Sequence, residues 1–133
     1  MTRLRTLTIV GALAASLGRP TGVAGQAQPD PDSVAVRVAK GKALFQGKGL
    51  CFSCHGKEGE GLLAPSTRLV GRALIHAKPT LPDLIALIKA GVDSAHSTIN
   101  QPMPARGGSR ISDTELEAVA WYVMDLQRRH PPR

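Results

Sequence analysis

The sequence predicts a small all-α domain built from three main helices. Apolar residues recur at the spacing of one helix face in three segments, around residues 33–46, 80–90 and 112–127. No segment alternates apolar and polar residues in the way that a half-buried strand does. The chain has 133 residues, so it has room for one domain and a leader.

The first predicted helix covers Ser33 to Gln46. Its apolar positions are Val34, Val38, Gly41 and Phe45. Asp30 is a candidate N-cap, with Pro31 at the first helical position. Glycine inside a helix costs about 1 kcal/mol relative to alanine. We therefore expect Gly41 to lie where another helix packs closely; the alternative is a weak position without a role.

The other two helices have clear start signals. Thr80 and Asp83 form a T-x-x-D start, and Gly91 is the expected stop. Residues 112–115 read Ser-Asp-Thr-Glu, which is a capping box. The predicted apolar faces consist of Leu81, Leu84, Ile85 and Ile88 in the second helix and Leu116, Val119, Tyr122, Val123 and Leu126 in the last.

Two stretches between these helices lack a helical pattern. Residues 62–79 are predicted to be mainly loop, with one short helical turn around Leu69 to His76. Residues 92–110 contain two prolines and two adjacent glycines. Such a long irregular segment in a small domain is typically functional.

The first 25 residues have the features of a secretory signal peptide. Arg3 and Arg5 precede a short apolar core, Leu7 to Leu17, and small residues at 25–27 offer cleavage sites. The core is too short to span a bilayer, which takes about 20 residues; an uncleaved anchor is the alternative. We therefore expect residues 26–32 to be a linker, 33–127 the domain and 128–133 a basic tail, in a periplasmic or otherwise exported protein.

The net charge of +7 does not favour nucleic-acid binding. Loss of the leader removes three arginines and no acidic residue, which lowers the net charge to +4. The chain has only four aromatic side chains to stack on bases, and its lysines are scattered. With so few aromatics, the apolar core of the mature chain is marginal on its own.

The most informative motif is Cys51-Phe52-Ser53-Cys54-His55, which has the C-x-x-C-H spacing of covalent haem attachment. Each thiol adds to one vinyl group of the porphyrin, and the histidine becomes an axial iron ligand. Both cysteines of the chain are used. A zinc half-site, a thioredoxin-like redox pair and a plain disulfide are the alternatives. The glycine-rich segment 55–61 lets the backbone pass close to a flat ligand.

Met103 is the candidate for the second axial position. It lies between Pro102 and Pro104, and rigid flanks suit a thioether, which is a weak ligand. The alternative is a methionine packed on the core. Four other side chains are weaker candidates for this position: Met124, His76, His96 and His130.

Taken together, these features resemble the class I c-type cytochromes, across about Ser33 to Gln127. GKALFQGKGLCFSCHGKEGEG is similar to the first helix and haem motif of that family, and QPMPARGGSRISDTELEAVAWYVMDL to its methionine loop and last helix. The resemblance implies a cytochrome c-like domain wrapped around one haem c, held by Cys51 and Cys54, with His55 and Met103 on the iron.

The resemblance also implies specific contacts. Gly41 and Phe45 should cross Val119 and Tyr122 where the first and last helices meet. The carbonyl of Pro65, in an Ala64-Pro65 pair where the family commonly has Gly-Pro, should accept a hydrogen bond from the His55 imidazole. Arg68 and Arg72 are candidates for contacts to the haem propionates.

The function expected from this pattern is electron transfer, not catalysis. Two alternatives are a permanent subunit of a larger oxidoreductase and, if Met103 does not bind iron, a five-coordinate haem enzyme or gas sensor. Four lysines cluster in sequence around the haem motif and could form a basic rim that steers an acidic redox partner, or else an ordinary solvated face: Lys40, Lys42, Lys48 and Lys57.

Overall fold

The computed structural model describes Asp30 and residues 32–133. The predicted leader, its cleavage site and most of the linker lie outside the described residues. Within them the fold is all-α, as expected, with no strand and one isolated β-bridge. The helices are α1 (Val34–Phe45), α2 (Phe52–His55), α3 (Leu81–Ala90) and α4 (Asp113–Arg129), with 3₁₀ turns at Pro65–Thr67 and Ala105–Gly108.

Helices α1 and α4 cross at Gly41. A Cβ on Gly41 would lie 2.6 Å from the carbonyl carbon of Ala118 and 2.9 Å from Cβ of Tyr122, so no larger residue fits without moving a helix. One turn further on, the rings of Phe45 and Tyr122 meet edge to face with centroids 5.3 Å apart. The close approach expected for Gly41 is confirmed. Val119 is buried in the same cluster.

Helix α3 packs on α4 through its predicted apolar face. Leu84 and Ile88 are buried, and Leu81 and Ile85 are partly buried against them. Thr80 caps α3 by accepting from the Asp83 amide. The predicted capping box of α4 is also present, since Ser112 and Glu115 bond reciprocally. The core of the domain therefore lies between α1, α3 and α4.

The N-cap of α1 is Ser33 and not Asp30. The Ser33 hydroxyl accepts from the Val36 amide, whereas the Asp30 carboxylate accepts from Asp32 in the turn before the helix. The Asp30 side chain therefore bonds within the turn before the helix and does not cap the first helical turn. Helix α1 begins at Val34, after the predicted first helical position at Pro31.

The helical turn predicted around Leu69 to His76 is absent, and the only helical turn in this connection is at Pro65–Thr67. The backbone groups of residues 69–72 bond to distant segments instead. The Leu69 amide donates to Gly59, and the Gln127 side chain donates to the carbonyls of Leu69 and Arg72. Long-range partners thus replace the local bonds of a helix.

Helix α4 continues through Arg128 and Arg129, two residues into the stretch predicted to be a basic tail. Both arginines pair with Asp125, one turn earlier on the same helix. The His130 carbonyl then accepts from the Gly71 amide. None of the helices among residues 32–133 has the length and apolar character needed to cross a bilayer.

Candidate haem site

Helix α2 is a single turn that carries the haem motif. Leu50, just before it, has a left-handed backbone (φ 58), which reverses the chain after the Gly47-Lys48-Gly49 segment. The amide of His55 donates to the Cys51 carbonyl at 3.1 Å, so one helical turn separates the first cysteine from the histidine. The two thiols and the imidazole are therefore held on one short, rigid element.

The glycine-rich segment closes the end of α2. Gly56 ends the helix with a φ of 79, a conformation that favours glycine. The chain then returns, so that the Gly61 amide donates to the His55 carbonyl and the Leu63 amide to the Cys54 carbonyl. The carbonyls that a helix end leaves free are thus satisfied by the loop that follows.

The imidazole of His55 is oriented by a backbone carbonyl. Its Nδ1 lies 2.6 Å from the carbonyl oxygen of Thr67, which can only accept, so Nδ1 carries the proton. The Pro65 carbonyl, expected in this role, accepts instead from the Arg68 amide and from Arg72 Nη1. The difference from the prediction is explained by the 3₁₀ turn at Pro65–Thr67, because successive carbonyls of such a turn point in different directions.

Burial changes the protonation chemistry of the motif. Loss of solvent lowers the pKa of His55, although the hydrogen bond to Thr67 opposes this effect. A neutral imidazole with Nδ1 protonated has its free lone pair on Nε2, which is the form that binds a metal. Burial also raises the pKa of Cys51 to about 11, so this cysteine is a neutral thiol at ordinary pH.

Met103 is fixed through its backbone. It forms the one β-bridge of the described residues, with Val92, through hydrogen bonds of 2.8 and 2.9 Å. Gly91, with a φ of 75, passes so close that a Cβ there would lie 2.7 Å from the Ala105 amide nitrogen and would clash with the Met103 carbonyl. The end of α3 thus forms a support for the methionine.

The remainder of the methionine loop is tied to α4. The Arg106 guanidinium donates to the Ile111 carbonyl at 2.8 Å and pairs with Asp113 in the first turn of α4. Lys89 of α3 pairs with the same carboxylate at 2.9 Å. Hydrogen bonds from these two partners lower the pKa of Asp113 to about 2, and the bond from Arg106 has the larger effect. Sequence reasoning did not identify Arg106, since nothing in the local pattern indicates its partner.

These elements enclose a cleft that all four predicted haem and iron ligands line: Cys51, Cys54, His55 and Met103. The remainder of the lining is mainly apolar, and most of it comes from α3, α4 and the 62–79 connection. Leu50 and Ile75, both on the lining, are 47% and 44% exposed. A flat apolar group would cover such side chains. With two thiols, one nitrogen and one thioether on an apolar cleft, the residues present fit a covalently attached haem.

The other candidate ligands differ in position. His76 also lines the cleft, but its side chain is exposed. His96 is exposed and its ring bonds to the Asp93 carboxylate. Met124 packs on the core beside Trp121, in a separate groove. His130 is exposed, beyond the end of α4.

Neither a zinc site nor a disulfide is supported. Among residues 32–133 no group of three or more potential metal-binding His, Cys, Asp or Glu side chains occurs. The sulfur atoms of Cys51 and Cys54 are not bonded to each other. Of the two arginines expected to contact propionates, Arg68 lines the cleft, whereas Arg72 does not.

The predicted basic rim is smaller than the sequence suggested. Lys42 pairs with Glu58, and Lys48 pairs with Glu115, each at 2.8 Å. Lys40 and Lys57 have no acidic partner within 4.0 Å among the described residues. Half of the expected positive charge is therefore balanced by acids that lie distant in the sequence.

Comparison with known families agrees with this geometry. Residues 36–123 match the family described as cytochrome C oxidase, cbb3-type, subunit III. The match begins in α1 and ends within α4, at residue 123, so it includes the haem motif and the methionine loop. No curated protein sequence is significantly similar to the chain.

Proposed function

Since this chain belongs to the cytochrome C oxidase, cbb3-type, subunit III family of class I c-type cytochromes, we propose that it is an exported electron carrier with His55 and Met103 as its axial ligands. The family carries covalently bound haem c with iron, and its domains transfer electrons. The observation that carries the proposal is that Cys51, Cys54, His55 and Met103 line one apolar cleft.

His55 supplies the first axial ligand. Its Nδ1 proton is engaged by Thr67, so Nε2 is left to bind iron. The neighbouring Phe45 ring, with its centroid 6.2 Å from that of His55, limits movement of the imidazole. Cys51 and Cys54 form the two thioethers and keep the group in place whatever the oxidation state of the iron.

Met103 supplies the second axial ligand. A thioether binds iron weakly, so the surrounding chain and not the iron–sulfur bond has to hold the methionine in position. The bridge to Val92 and the Arg106–Asp113 pair provide this scaffold from two sides. A closed sixth position favours electron transfer over ligand chemistry, because no site is left for a substrate.

A haem held by these residues would supply a one-electron couple. The mainly apolar lining of the cleft would give that group an environment of low polarity. Leu50 and Ile75, at the exposed edge of the cleft, mark the face through which a partner can approach closely.

The family description favours a partner within an oxidase assembly. We propose that the domain works as, or docks onto, a subunit of a membrane oxidoreductase outside the cytoplasm. Lys40 and Lys57 then provide the positive charge that attracts an acidic partner surface. Size-exclusion chromatography of detergent-solubilised native protein separates the two forms: a subunit elutes with the complex, whereas a free carrier elutes near the mass of this domain.

Met103→Ala tests the ligand set. In the oxidised holoprotein the wild type should show a sulfur-to-iron charge-transfer band. The variant should lose that band, have a lower reduction potential and bind carbon monoxide rapidly, because a thioether that favours the reduced iron is replaced by an open position.

Met124→Ala is the matched control, since Met124 lies in a separate groove and its loss should leave the band intact. A wild-type protein without the band that already binds carbon monoxide would favour the enzyme or sensor alternative. An unchanged spectrum in Met103→Ala would refute Met103 as the ligand.

A further inference from the structure

Thr67 holds the proximal side of the site with two separate groups. Its carbonyl oxygen accepts the Nδ1 proton of His55 at 2.6 Å. Its side-chain Oγ1 lies 2.8 Å from the carbonyl oxygen of Cys54, the residue just before that histidine. One residue therefore touches both the imidazole and the end of the helix that carries it.

The hydroxyl is itself fixed by the 3₁₀ turn. Oγ1 accepts from the Ala64 amide at 3.3 Å and lies 2.7 Å from the Ala64 carbonyl oxygen. The Thr67 amide donates to that same carbonyl at 2.9 Å. Without the hydroxyl, the bond from Thr67 to the imidazole is the one hydrogen bond left between the turn and α2 among the described residues. The Leu63 amide, which precedes the turn, still donates to the Cys54 carbonyl.

The bond from Nδ1 to the carbonyl controls how strongly the imidazole donates to iron. A short bond gives the ring partial imidazolate character and raises its basicity, which stabilises the ferric state. A longer bond has the opposite effect. Any group that fixes the distance between α2 and the Thr67 carbonyl therefore also fixes the reduction potential.

We propose that the Thr67 hydroxyl is a positioning group that locks the Thr67 carbonyl onto His55 Nδ1 and thereby lowers the reduction potential of the haem. The inference depends on the proposed function, because it takes His55 as an iron ligand. Thr67 touches the imidazole and not the iron, so its effect passes through the histidine.

Three variants of the holoprotein test this role. Thr67→Val keeps the shape of the side chain and removes the hydroxyl, Thr67→Ser keeps the hydroxyl, and Thr67→Ala removes the hydroxyl without adding a methyl group. Thr114→Val is the control for the same exchange at an exposed position of α4, where the threonine side chain has no hydrogen-bond partner within residues 32–133. The two measurements are the reduction potential and the hydrogen-exchange rate of the His55 Nδ1 proton, by NMR of the reduced protein.

Thr67→Val and Thr67→Ala should raise the potential and speed exchange of the Nδ1 proton at least tenfold. Thr67→Ser and Thr114→Val should match the wild type in both measurements. A wild-type potential and exchange rate in Thr67→Val, in a protein whose spectrum shows histidine and methionine on the iron, would overturn the inference alone. Faster exchange without any change in potential, in a protein with the same spectrum, would overturn the effect on the potential and leave the proposed function standing. A wild-type spectrum without histidine on the iron would refute the proposed function itself.

Discussion

The backbones of Met103 and Val92 are joined by two hydrogen bonds, although the two residues lie at opposite ends of an irregular loop. The bridge turns residues 92–103 into a closed loop whose ends are fixed at the end of α3. The position of the methionine is therefore decided by α3 as well as by the prolines that flank it. Disturbing the end of α3 should displace Met103 without any change in the methionine itself.

Gly91→Ala should disturb this contact. The new Cβ would lie 2.7 Å from the Ala105 nitrogen, in addition to the strain of a φ of 75. We expect loss of the sulfur-to-iron band, together with a destabilisation of about 1–3 kcal/mol from the backbone, whose ψ of −170 lies in a region occupied almost only by glycine, and about 1–3 kcal/mol from the clash. The oxidised spectrum and denaturant unfolding measure the two effects.

Gly71→Ala is the matched control for backbone strain. Gly71 has a similar φ of 69, but no atom lies within 4 Å of the Cβ position. The control should therefore lose only the backbone contribution, about 1–2 kcal/mol, and keep the band. If both variants lose the band equally, the contact between Gly91 and the methionine segment is not what places Met103.

The methionine loop should loosen in acid through Asp113. Its pKa is about 2 in the folded protein, below the ordinary value of 3.8, because Arg106 and Lys89 bond to its carboxylate. A lowered folded pKa stabilises the protein fully above the unfolded value, so this contribution is lost as the pH falls from about 4 to 2. Asp113→Asn should flatten the pH dependence of unfolding in that window.

Denaturant unfolding of the two proteins at several pH values between 5 and 2 measures this effect. Asp32→Asn is the control, since the Asp32 carboxylate lies 3.6 Å from Arg37, far along the sequence from the methionine loop. It should retain the acid loss that comes from Asp113. An Asp113→Asn protein with the same acid dependence as the wild type would rule out the Arg106–Asp113 contact as a stabilising link.

Electron transfer to an anionic oxidant should be steered by the two lysines without acidic partners. Removal of one unit charge about 10 Å from the point of transfer changes the electrostatic energy of a unit charge there, in water, by about 0.4 kcal/mol. This energy corresponds to a roughly twofold change in rate. Lys40→Gln and Lys57→Gln should therefore slow oxidation by hexacyanoferrate(III) at least twofold at low ionic strength, and the difference should vanish in high salt.

Lys78→Gln is the control for net charge, because it removes one unit charge from a lysine that lies outside the sequence cluster around the haem motif. It should slow the reaction less than either of the other changes. Equal effects of all three changes, or rates that do not depend on salt, would rule out local steering by Lys40 and Lys57.

Much of the fold follows from local sequence patterns. The capping box at Ser112 and Glu115, the T-x-x-D start at Thr80 and the stop at Gly91 depend on neighbouring residues, and each is present in the structure. Gly41 was informative because a glycine is costly in a helix unless something packs against it, and α4 does so.

The errors concern backbone groups and side chains whose partners are distant in the sequence. The sequence predicts a helical turn around Leu69 to His76, but Gly59 and Gln127 supply the hydrogen-bond partners of that segment. It also places Lys42 and Lys48 in a basic rim, yet Glu58 and Glu115 pair with them. Neither set of partners can be inferred from local spacing.

The sequence by itself determined the chemistry of the site, because C-x-x-C-H brings two thiols and an imidazole together within one helical turn. Only the tertiary structure decided how that chemistry is held. It selected the Thr67 carbonyl over that of Pro65 as the partner of His55, and it fixed Met103 against Val92. The physical reason is that hydrogen-bond geometry depends on where separate segments meet, and packing of α1, α3 and α4 sets those positions.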